Sequence, residues 1–498
     1  MSSKAKAIMF QGTGSGVGKS IVVAALCRIL ARKGIKVTPF KAQNMALNSF
    51  VTHDGLEMGR AQVFQAEACG LEPDVRMNPV LLKPSADARS QVILMGKPTG
   101  HYSAKNYYKK YKSHREVARR AYDSLAEEYD VIVMEGAGSP AEINLQQTDI
   151  VNMQMAEYSS AKVILVGDID RGGVFAWLKG TFDLVQNHHR NLIAGYLINK
   201  FRGDVGLLMP GIEQFKDISS MQCLGVLPWF YDITVDQEDG VFVNALHSSN
   251  GPVNIAVIHL PRISNFTDFA PLAFEKDVSL SFVRTPEELT SCDCLIIPGT
   301  KATIADLSFL HQKGWDDKIA SLVANDKVIL GICGGYQMLG KEIQDKDGIE
   351  GCSGSFEGLG LLPVITEMKG SKKLSRTKIT FDSLPFAFDK PVEATGYEIH
   401  MGRTWKISAQ NSHPEGESAL VCSNDNATVI GTYLHGLFES DELRRNFIDF
   451  LRNKKGLEPI KQVSNYQQFR QEQFDKLADW MEANSDMEMI LELVGLHR

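Results

Sequence analysis

The sequence is poor in cysteine, and its cysteines form neither a metal-binding nor a disulfide pattern. Eight cysteines are scattered through 498 residues, and no two of them are separated by just two residues. Cys292 and Cys294 stand one residue apart in an apolar stretch, where a strand would point both side chains to one face. These absences argue against a disulfide-stapled domain and against a zinc site, and they favour reduced thiols.

Long hydrophobic runs and an excess of positive charge are missing as well. No apolar run approaches the roughly 20 residues that cross a bilayer, and the amino end lacks the apolar core of a secretory signal. Lysine and arginine number 53 against 60 aspartates and glutamates, a net charge of -7. A chain of this sign has no general attraction for nucleic acid or anionic lipid. We therefore expect a cytoplasmic protein without nucleic-acid or membrane partners, in which a local site holds any bound anion.

The composition is that of an ordinary globular protein with more than one domain. Hydrophobic residues make up 44% and charged residues 23% of the chain, values that exclude a mostly disordered, collagenous or membrane-embedded protein. Because 498 residues exceed the usual size of a single hydrophobic core, we expect two or three domains.

The first half alternates short β-branched runs, polar or glycine-rich turns and helical stretches, a pattern typical of βα units in a parallel sheet. The predicted strands are Ala7–Gln11, Lys36–Phe40, Val131–Met134, Val163–Val166, Ile193–Ile198 and Cys223–Leu227. The predicted helices are Lys19–Lys33, Met58–Cys69, Lys105–Glu128 and Val174–Gln186.

This regularity stops at Asp232–Pro252, a polar stretch that predicts a linker. A second α/β unit then begins, and a helical, charged tail follows it. Its predicted strands are Val253–Ile258, Cys294–Ile297, Val328–Ile332 and Thr428–Leu434, and the tail is Asp441–Arg498. The predicted organisation is therefore α/β, with domains at 1–235 and 252–445 and a C-terminal helical extension at 446–498.

The strongest local signal is Gly12-Thr-Gly-Ser-Gly-Val-Gly-Lys-Ser20, which follows a predicted strand and opens a predicted helix. Backbone N–H groups and a lysine in this position can surround phosphates, so the run predicts a nucleotide site. The loop is longer than the standard pattern, because Thr13 stands where the first glycine would fall. We expect Lys19 to neutralise the β and γ phosphates and Ser20 to offer its hydroxyl to Mg²⁺. The predicted nucleotide-binding residues are Gly12, Thr13, Gly14, Gly16, Val17, Gly18, Lys19 and Ser20.

A second signal is the apolar strand Val131–Met134, which ends in Glu135 and a glycine-rich turn. The carboxyl ends of parallel strands line one crevice, so Glu135 can share it with the phosphate loop and bind Mg²⁺ together with Ser20. The alternative is a solvated glutamate before a tight turn. Two weaker strand ends, Gly167–Gly173 and Asn199–Gly203, are either further site loops or simply polar loops.

A third signal is the apolar strand Val328–Ile332, which runs into Cys333-Gly-Gly and then a helical pattern. Glycines around the cysteine permit a sharp turn, and the following helix start favours a thiolate, so Cys333 is a predicted nucleophile. The alternative is a buried core cysteine. His435, at the end of another apolar run, is the predicted base, and His400 is a competing candidate.

Taken together, these motifs resemble, over nearly the whole chain, the cobyric acid synthases, a family of glutamine-dependent enzymes of the cobalamin pathway. Gly12–Ser20 and Glu135–Gly138 are similar to the ATP and Mg²⁺ site of dethiobiotin-synthetase-type amidoligases. Two further segments, Phe40–Asn48 and Asn78–Pro84, point to cobyric acid synthases in particular.

The second half resembles the class I glutamine amidotransferases of the cobalamin type, with Cys333 matching their nucleophile and His435 their base. The resemblance implies a P-loop NTPase-type parallel sheet followed by a flavodoxin-like amidotransferase domain. It also implies ATP, glutamine and adenosylcobyrinic acid a,c-diamide as substrates, with amidation at the b, d, e and g carboxylates.

The sequence departs from the wider class I family at one position. That family has glutamate two residues after the catalytic histidine, where this chain has Leu437, so the third group is open, with Glu398 and Glu439 as candidates. Three rival functions also stay open. They are a cobyrinic acid a,c-diamide synthase, a ParA-like switch ATPase with an inactive amidotransferase-like module, and a stand-alone glutaminase with a regulatory nucleotide domain.

Overall fold

The computed structural model describes residues 5–86, 89–230, 251–382, 384, 386, 391–407 and 418–496. The chain divides into two compact units. The first comprises Met1–Ala46, Leu56–Val241 and Phe469–Arg498, and the second comprises Leu47–Gly55 and Phe242–Gln468. Most of the predicted linker at 232–252 lies outside the described residues.

The strands, in chain order, are β1 (Lys6–Gly12), β2 (Val37–Phe40), β3 (Gln43–Met45), β4 (Ser49–Val51), β5 (Glu57–Gly59), β6 (Val80–Ala86), β7 (Arg89–Leu94), β8 (Lys97–Ser103), β9 (Val131–Glu135), β10 (Lys162–Asp168), β11 (Ile193–Phe201), β12 (Gln222–Pro228), β13 (Val253–Ile258), β14 (Val278–Val283), β15 (Cys294–Ile297), β16 (Val328–Ile332), β17 (Glu342–Asp345), β18 (Gly354–Glu357), β19 (Val364–Phe381), β20 (Val392–Lys406), β21 (Val421–Ser423) and β22 (Val429–Thr432).

The α-helices are α1 (Lys19–Arg32), α2 (Arg60–Ala68), α3 (Ala104–Tyr108), α4 (Tyr111–Glu128), α5 (Met153–Ser159), α6 (Val174–Leu184), α7 (Asn187–Arg190), α8 (Val205–Ser219), α9 (Ala270–Phe274), α10 (Thr303–Gln312), α11 (Trp315–Ala324), α12 (Gly334–Leu339), α13 (Asp441–Lys454), α14 (Tyr466–Asn484) and α15 (Met487–Val494). Short 3-10 helices lie at Val75–Met77, Phe266–Phe269, Pro286–Glu288 and Leu437–Glu439. Within the described part of the chain, no helix is long and apolar enough to span a membrane.

The first unit is built on a six-stranded parallel sheet in the order β12-β11-β10-β1-β9-β2. All six strands match the predicted ones, and β1 and β9 are neighbours, so their carboxyl ends at Gly12 and Glu135 meet at one edge. Buried side chains of β1, α1 and β9 form the core together with apolar residues of α14 and α15. This arrangement places the phosphate loop directly beside Glu135.

The second unit has its own six-stranded sheet, in the order β14-β13-β15-β16-β22-β21. The pairings are parallel except for β21 with β22. Because β16 and β22 are neighbours, the residues that follow them, Cys333 and Tyr433 to His435, lie at one edge of this sheet. The predicted strands of this half are therefore present, and their order brings the predicted nucleophile and base together.

Two parts of the structure were not predicted from the sequence. The first unit contains a small sheet in the order β3-β6-β7-β8, and the second contains the long antiparallel pair β19–β20 within a four-stranded sheet. The predicted helix Lys105–Glu128 is two helices, α3 and α4, and the predicted helix at Met58 begins at Arg60 because β5 precedes it.

The ends of the two units also differ from the predicted domain limits. Residues 47–55, from the predicted first domain, belong to the second unit, and residues 469–498 belong to the first. The C-terminal helices therefore do not form an extension of their own. All eight cysteines are described, and none of them is in a disulfide.

Candidate functional site

The phosphate loop runs from β1 into α1 and has the backbone conformation that its glycines allow. Gly18 has a φ of 97°, in the left-handed region, and a Cβ there would lie 2.2 Å from the side-chain nitrogen of Asn199. Lys19 is buried, and its Nζ donates hydrogen bonds to the carbonyl oxygens of Gly14, at 2.9 Å, and Gly138, at 3.2 Å. The lysine therefore lies over the loop, where phosphate oxygens can replace these carbonyl contacts.

Glu135 lies beside the loop, as the sheet order requires, and is buried. The Ser20 hydroxyl donates to its Oε1 at 2.9 Å, and Gln65 donates to its Oε2 at 2.6 Å. Hydroxyl and carboxylate oxygens are hard ligands of the kind that Mg²⁺ prefers. The predicted pair of metal ligands, Ser20 and Glu135, is thus brought into direct contact.

Lys41 is a further charged residue of this site that the chemical reading of the sequence missed. Its Nζ lies 2.8 Å from Glu135 Oε1, and both side chains are almost completely buried. A buried carboxylate requires a compensating charge, which Lys41 supplies. The available signal was its position immediately after the predicted strand that ends at Phe40.

The segments Gly167–Gly173 and Asn199–Gly203, whose role the sequence left open, contain residues that support the phosphate loop. Asn199 donates its side-chain amide to the carbonyl oxygen of Val17 at 2.8 Å. Lys200 donates to the carbonyl oxygen of Gly16 at 2.6 Å and pairs with Asp168 at 2.8 Å. These loops therefore hold the backbone of the phosphate loop in place and are more than solvated turns.

Cys333 lies at a sharp turn between β16 and α12. Its φ is 52° and its ψ is −107°, a conformation that a non-glycine residue rarely adopts. A Cβ at Gly335 would lie 1.9 Å from the carbonyl oxygen of Ile297, so the turn requires glycine at that position. The geometry matches the nucleophile elbow predicted from the sequence.

His435 is fully buried and lies close to both Asp268 and Cys333. Its Nδ1 lies 2.6 Å from Asp268 Oδ2, and the thiol of Cys333 donates a hydrogen bond to the carbonyl oxygen of Ile399 at 3.7 Å. The side chains of His435 and Cys333 lie close together, because both are near Gly299. A Cβ at Gly299 would lie 2.9 Å from His435 Cε1 and 3.6 Å from Cys333 Cβ. Asp268 also accepts a hydrogen bond from the backbone N–H of Gly436 at 3.0 Å.

The charges around His435 favour its protonated form. Burial alone would lower the pKa of His435, but the neighbouring Asp268 carboxylate and the Cys333 side chain outweigh burial and raise that pKa to about 10. An imidazolium beside a thiol stabilises the thiolate and can donate a proton to a leaving group. The arrangement can therefore perform nucleophilic attack on an amide.

The group that contacts His435 is thus Asp268, and neither candidate considered from the sequence does so. Glu398 pairs with His400 at 3.1 Å and accepts hydrogen bonds from Ser375 and Thr377. Although burial would raise the pKa of Glu398, the hydrogen bonds with His400, Thr377 and Ser375 lower it to about 2. Glu439 is exposed at the surface.

His400, the competing base, has both ring nitrogens engaged elsewhere. Its Nδ1 lies 2.7 Å from the carbonyl oxygen of Gly402, and its Nε2 faces Glu398. The sequence offered little indication of Asp268, because it lies 167 residues before His435 in a short 3-10 helix without a recognised motif.

Comparison with known proteins assigns both halves of the chain to families. Residues 8–240 match the family described as the CobQ/CobB/MinD/ParA nucleotide binding domain. Residues 254–443 match the family described as the CobB/CobQ-like glutamine amidotransferase domain. The two matches occur in the order predicted from the sequence.

Whole-chain relatives carry the name cobyric acid synthase. The chain is 46% identical over 503 residues to the protein of Thermoanaerobacter sp. (strain X514), covering 99% of each chain. It is 46% identical over 499 residues to that of Carboxydothermus hydrogenoformans, covering 99% of this chain and 100% of the relative. It is 47% identical over 505 residues to that of Citrobacter koseri, covering 99% of each.

These matches extend over the whole chain, well beyond either motif. They confirm the predicted fold class, a nucleotide-binding domain followed by a glutamine amidotransferase domain, and the predicted class of enzyme, a glutamine-dependent amidoligase. The chain belongs to the cobyric acid synthase family.

Proposed function

We propose that the protein amidates carboxylates of a cobyrinic acid derivative, with ATP as the activating substrate and glutamine as the nitrogen source. The observation that carries this proposal is Cys333 beside the His435–Asp268 pair, in a chain whose other unit has a phosphate loop. A glutamine-dependent amidoligase needs both sites. The first must convert the carboxylate into an acyl phosphate, because ammonia displaces phosphate but not oxide, and the second must release ammonia from glutamine.

In the second unit, the sulfur of Cys333 attacks the side-chain amide carbon of glutamine. The His435 imidazolium protonates the amide nitrogen, the carbon–nitrogen bond breaks, and ammonia leaves. A glutamyl thioester remains on Cys333. Water then attacks this thioester with His435 as the base, the carbon–sulfur bond breaks, and glutamate leaves. Asp268 accepts the hydrogen bond from Nδ1 and so keeps Nε2 directed at the reacting atoms.

In the first unit, an oxygen of the substrate carboxylate attacks the γ-phosphorus of ATP, ADP leaves, and an acyl phosphate forms. Ammonia then attacks the acyl carbon, phosphate leaves, and the amide retains the nitrogen. In the structure, Lys19 donates hydrogen bonds to two loop carbonyl oxygens. With ATP bound, it neutralises the charge on the β and γ phosphates. The remaining nucleotide contacts come from the loop residues Gly12, Thr13, Gly14, Gly16, Val17, Gly18 and Ser20.

The oxygens of Ser20 and Glu135 fit Mg²⁺, and we propose that these two residues hold it. When bound, the ion would supply positive charge that offsets the charge of the phosphates. Lys41 and Ser20 both donate hydrogen bonds to Glu135 Oε1. The positive charge of Lys41 offsets the negative charge of the carboxylate, and the two hydrogen bonds fix the orientation of the carboxylate.

Membership of the cobyric acid synthase family supports a cobyrinic acid derivative as the substrate. We propose that this substrate is adenosylcobyrinic acid a,c-diamide and that it is amidated at the b, d, e and g carboxylates. The corrinoid is a substrate in this scheme and not a cofactor. Since the reaction consumes ATP and glutamine, we place it in the cytoplasm.

The proposal is tested by incubating the protein with adenosylcobyrinic acid a,c-diamide, ATP, Mg²⁺ and either glutamine or ammonia. Mass spectrometry then detects the amidated corrinoids. The wild-type protein should produce a ladder of amidated products with both nitrogen sources. Cys333→Ala should lose the ladder with glutamine and keep it with ammonia, whereas Cys352→Ala, at an exposed cysteine, should behave as wild type. Lys19→Ala should lose it with both sources while still releasing glutamate from glutamine.

Other outcomes would favour the rival functions. Amidation of cobyrinic acid at the a and c carboxylates would indicate the a,c-diamide synthase. ATP hydrolysis without any amidated corrinoid and without glutamate would indicate a switch ATPase. Glutamate release without an amidated acceptor under any condition would indicate a stand-alone glutaminase.

A further inference from the structure

Residues 47–55 lie in sequence between two segments of the first unit, Met1–Ala46 and Leu56–Val241, yet they belong to the second compact unit. Asn48 and Ser49 in this segment are buried, with 5% and 1% of their surface exposed. We propose that Asn48 is a positioning residue for the glutamine-hydrolysing site, acting through Asn265 and Asp268 on His435. This inference rests on the function proposed above, since it concerns the same site.

Asn48 and Ser49 hold Asn265 by two complementary hydrogen bonds. The backbone N–H of Asn265 donates to Asn48 Oδ1 at 2.7 Å, and the backbone N–H of Ser49 donates to Asn265 Oδ1 at 3.1 Å. Asn265 has a φ of 55°, in the left-handed region, so its backbone costs energy that neighbouring contacts must offset. The segment therefore fixes both the backbone and the side chain of Asn265.

Asn265 in turn determines the position of Asp268. It precedes the 3-10 helix Phe266–Phe269, and the backbone N–H of Asp268 donates to the carbonyl oxygen of Asn265 at 3.0 Å. Asp268 then binds His435 Nδ1 at 2.6 Å. A continuous chain of hydrogen bonds thus leads from Asn48 through Asn265 and Asp268 to the imidazole of His435.

A second branch reaches the imidazole through Tyr397. The side-chain nitrogen of Asn265 donates to the Tyr397 hydroxyl at 3.3 Å, and this hydroxyl donates to the carbonyl oxygen of Ser49 at 3.3 Å. The Tyr397 ring stacks on the His435 ring, with centroids 5.4 Å apart and planes 20° apart. Asn265 therefore supports His435 from its Asp268 side and from its ring face.

This geometry predicts that substitution of Asn48 slows the hydrolysis of glutamine and leaves ammonia-dependent amidation unchanged. Displacement of a catalytic group by a fraction of an ångström slows the chemical step, and such remote changes cost up to about a hundredfold in rate. Loss of the Asn48 acceptor leaves Asn265 N–H without that bond and loosens the turn that carries Asp268. The glutamine KM should change little, because no residue of this network is proposed to bind glutamine.

The test compares full-length wild type, Asn48→Ala, Asn48→Asp and His53→Ala for glutamate release and for corrinoid amidation with ammonia. Asn48→Ala should lower kcat for glutamate release about tenfold or more with KM nearly unchanged, and leave ammonia-dependent amidation intact. Asn48→Asp keeps a side-chain acceptor and should recover most of the lost rate. His53→Ala changes an exposed residue of the same segment and should match wild type.

The inference would be overturned if Asn48→Ala released glutamate at the wild-type rate. It would also be overturned if this variant lost glutamate release and ammonia-dependent amidation to the same extent. If Asn48→Ala does not fold, Tyr397→Phe decides, because it removes only the hydroxyl of the network and keeps the stacked ring. A several-fold lower kcat for glutamate release supports the inference, and an unchanged kcat overturns it. Failure of the proposed function itself would be visible separately, as a wild-type protein that releases no glutamate.

Discussion

At the scale of single residues, the glutaminase site depends on charges placed in a buried environment. Asp268 and His435 are 4% and 1% exposed, and their contact keeps an imidazolium next to Cys333. In such a setting each charge is worth more than it is in water, and each is costly to leave unpaired. Substitutions that remove one charge without changing shape are therefore the most informative.

Asp268→Asn should abolish most glutamine-dependent activity. Asparagine keeps the size of the side chain but removes the negative charge that orients and stabilises the imidazolium, a change that lowers kcat about 10⁴-fold in a serine-protease triad. Ammonia-dependent amidation should persist. Glu439→Gln is the matched control, because that glutamate is exposed, and a comparable loss in the control would contradict the role of Asp268.

The pH dependence of glutamate release should report the raised pKa of His435. The imidazolium is the proton donor, so kcat/KM stays high below the pKa of about 10 and falls as pH rises through it. Removal of the Asp268 charge lowers that pKa, so residual activity of Asp268→Asn should fall at a lower pH. The measurement is kcat/KM for glutamate release from pH 6 to 10.5, and a wild-type decline beginning near pH 7 would refute the assignment.

At the scale of elements, both sites lie where a parallel strand ends and a helix begins. The turn after β1 carries the phosphate loop, and the turn after β16 carries Cys333. These turns work because glycines let the backbone approach neighbouring strands, as at Gly335 against Ile297. The glycine pattern is therefore a structural requirement of the elbow.

Gly335→Ala should destabilise the second unit and reduce glutamate release. The added methyl would lie 1.9 Å from the Ile297 carbonyl oxygen, so the backbone must move, at a cost of about 3 kcal/mol in the free energy of unfolding. Gly180→Ala in α6 is the contrast, since its Cβ would meet no heavy atom within 4 Å and should stabilise the helix by about 0.5–1 kcal/mol. Denaturant unfolding of both variants measures the difference, and equal stability would be inconsistent with it.

At the scale of the whole molecule, the two ends of the chain belong to one unit. Residues 469–498 join Met1–Ala46 in the first unit, and Leu477 is fully buried there in the core that contains β1 and α1. Apolar residues of α14 and α15 thus form part of the core of the nucleotide-binding unit. The C-terminal helices are part of its core.

Leu477→Ala should destabilise the first unit selectively. Truncation of a buried leucine costs about 2–5 kcal/mol, so ATP-dependent amidation with ammonia should be lost at a lower temperature than in wild type. Glutamate release depends on the second unit and should retain its thermal profile. Lys476→Ala, at an exposed neighbour, should have no effect, and an equal shift of both activities in Leu477→Ala would contradict the division.

The sequence by itself determined the strands of both sheets, the phosphate loop, the candidate pair of Cys333 and His435, and the family. Each of these signals lies in contiguous residues, because hydrophobic period and glycine spacing act locally. Only the tertiary structure decided that Asp268 contacts His435, that Lys41 pairs with Glu135, and that residues 47–55 and 469–498 join the units they do. These partners are far apart in the chain, and their meeting depends on strand order and on the burial of charges that must find a counter-charge.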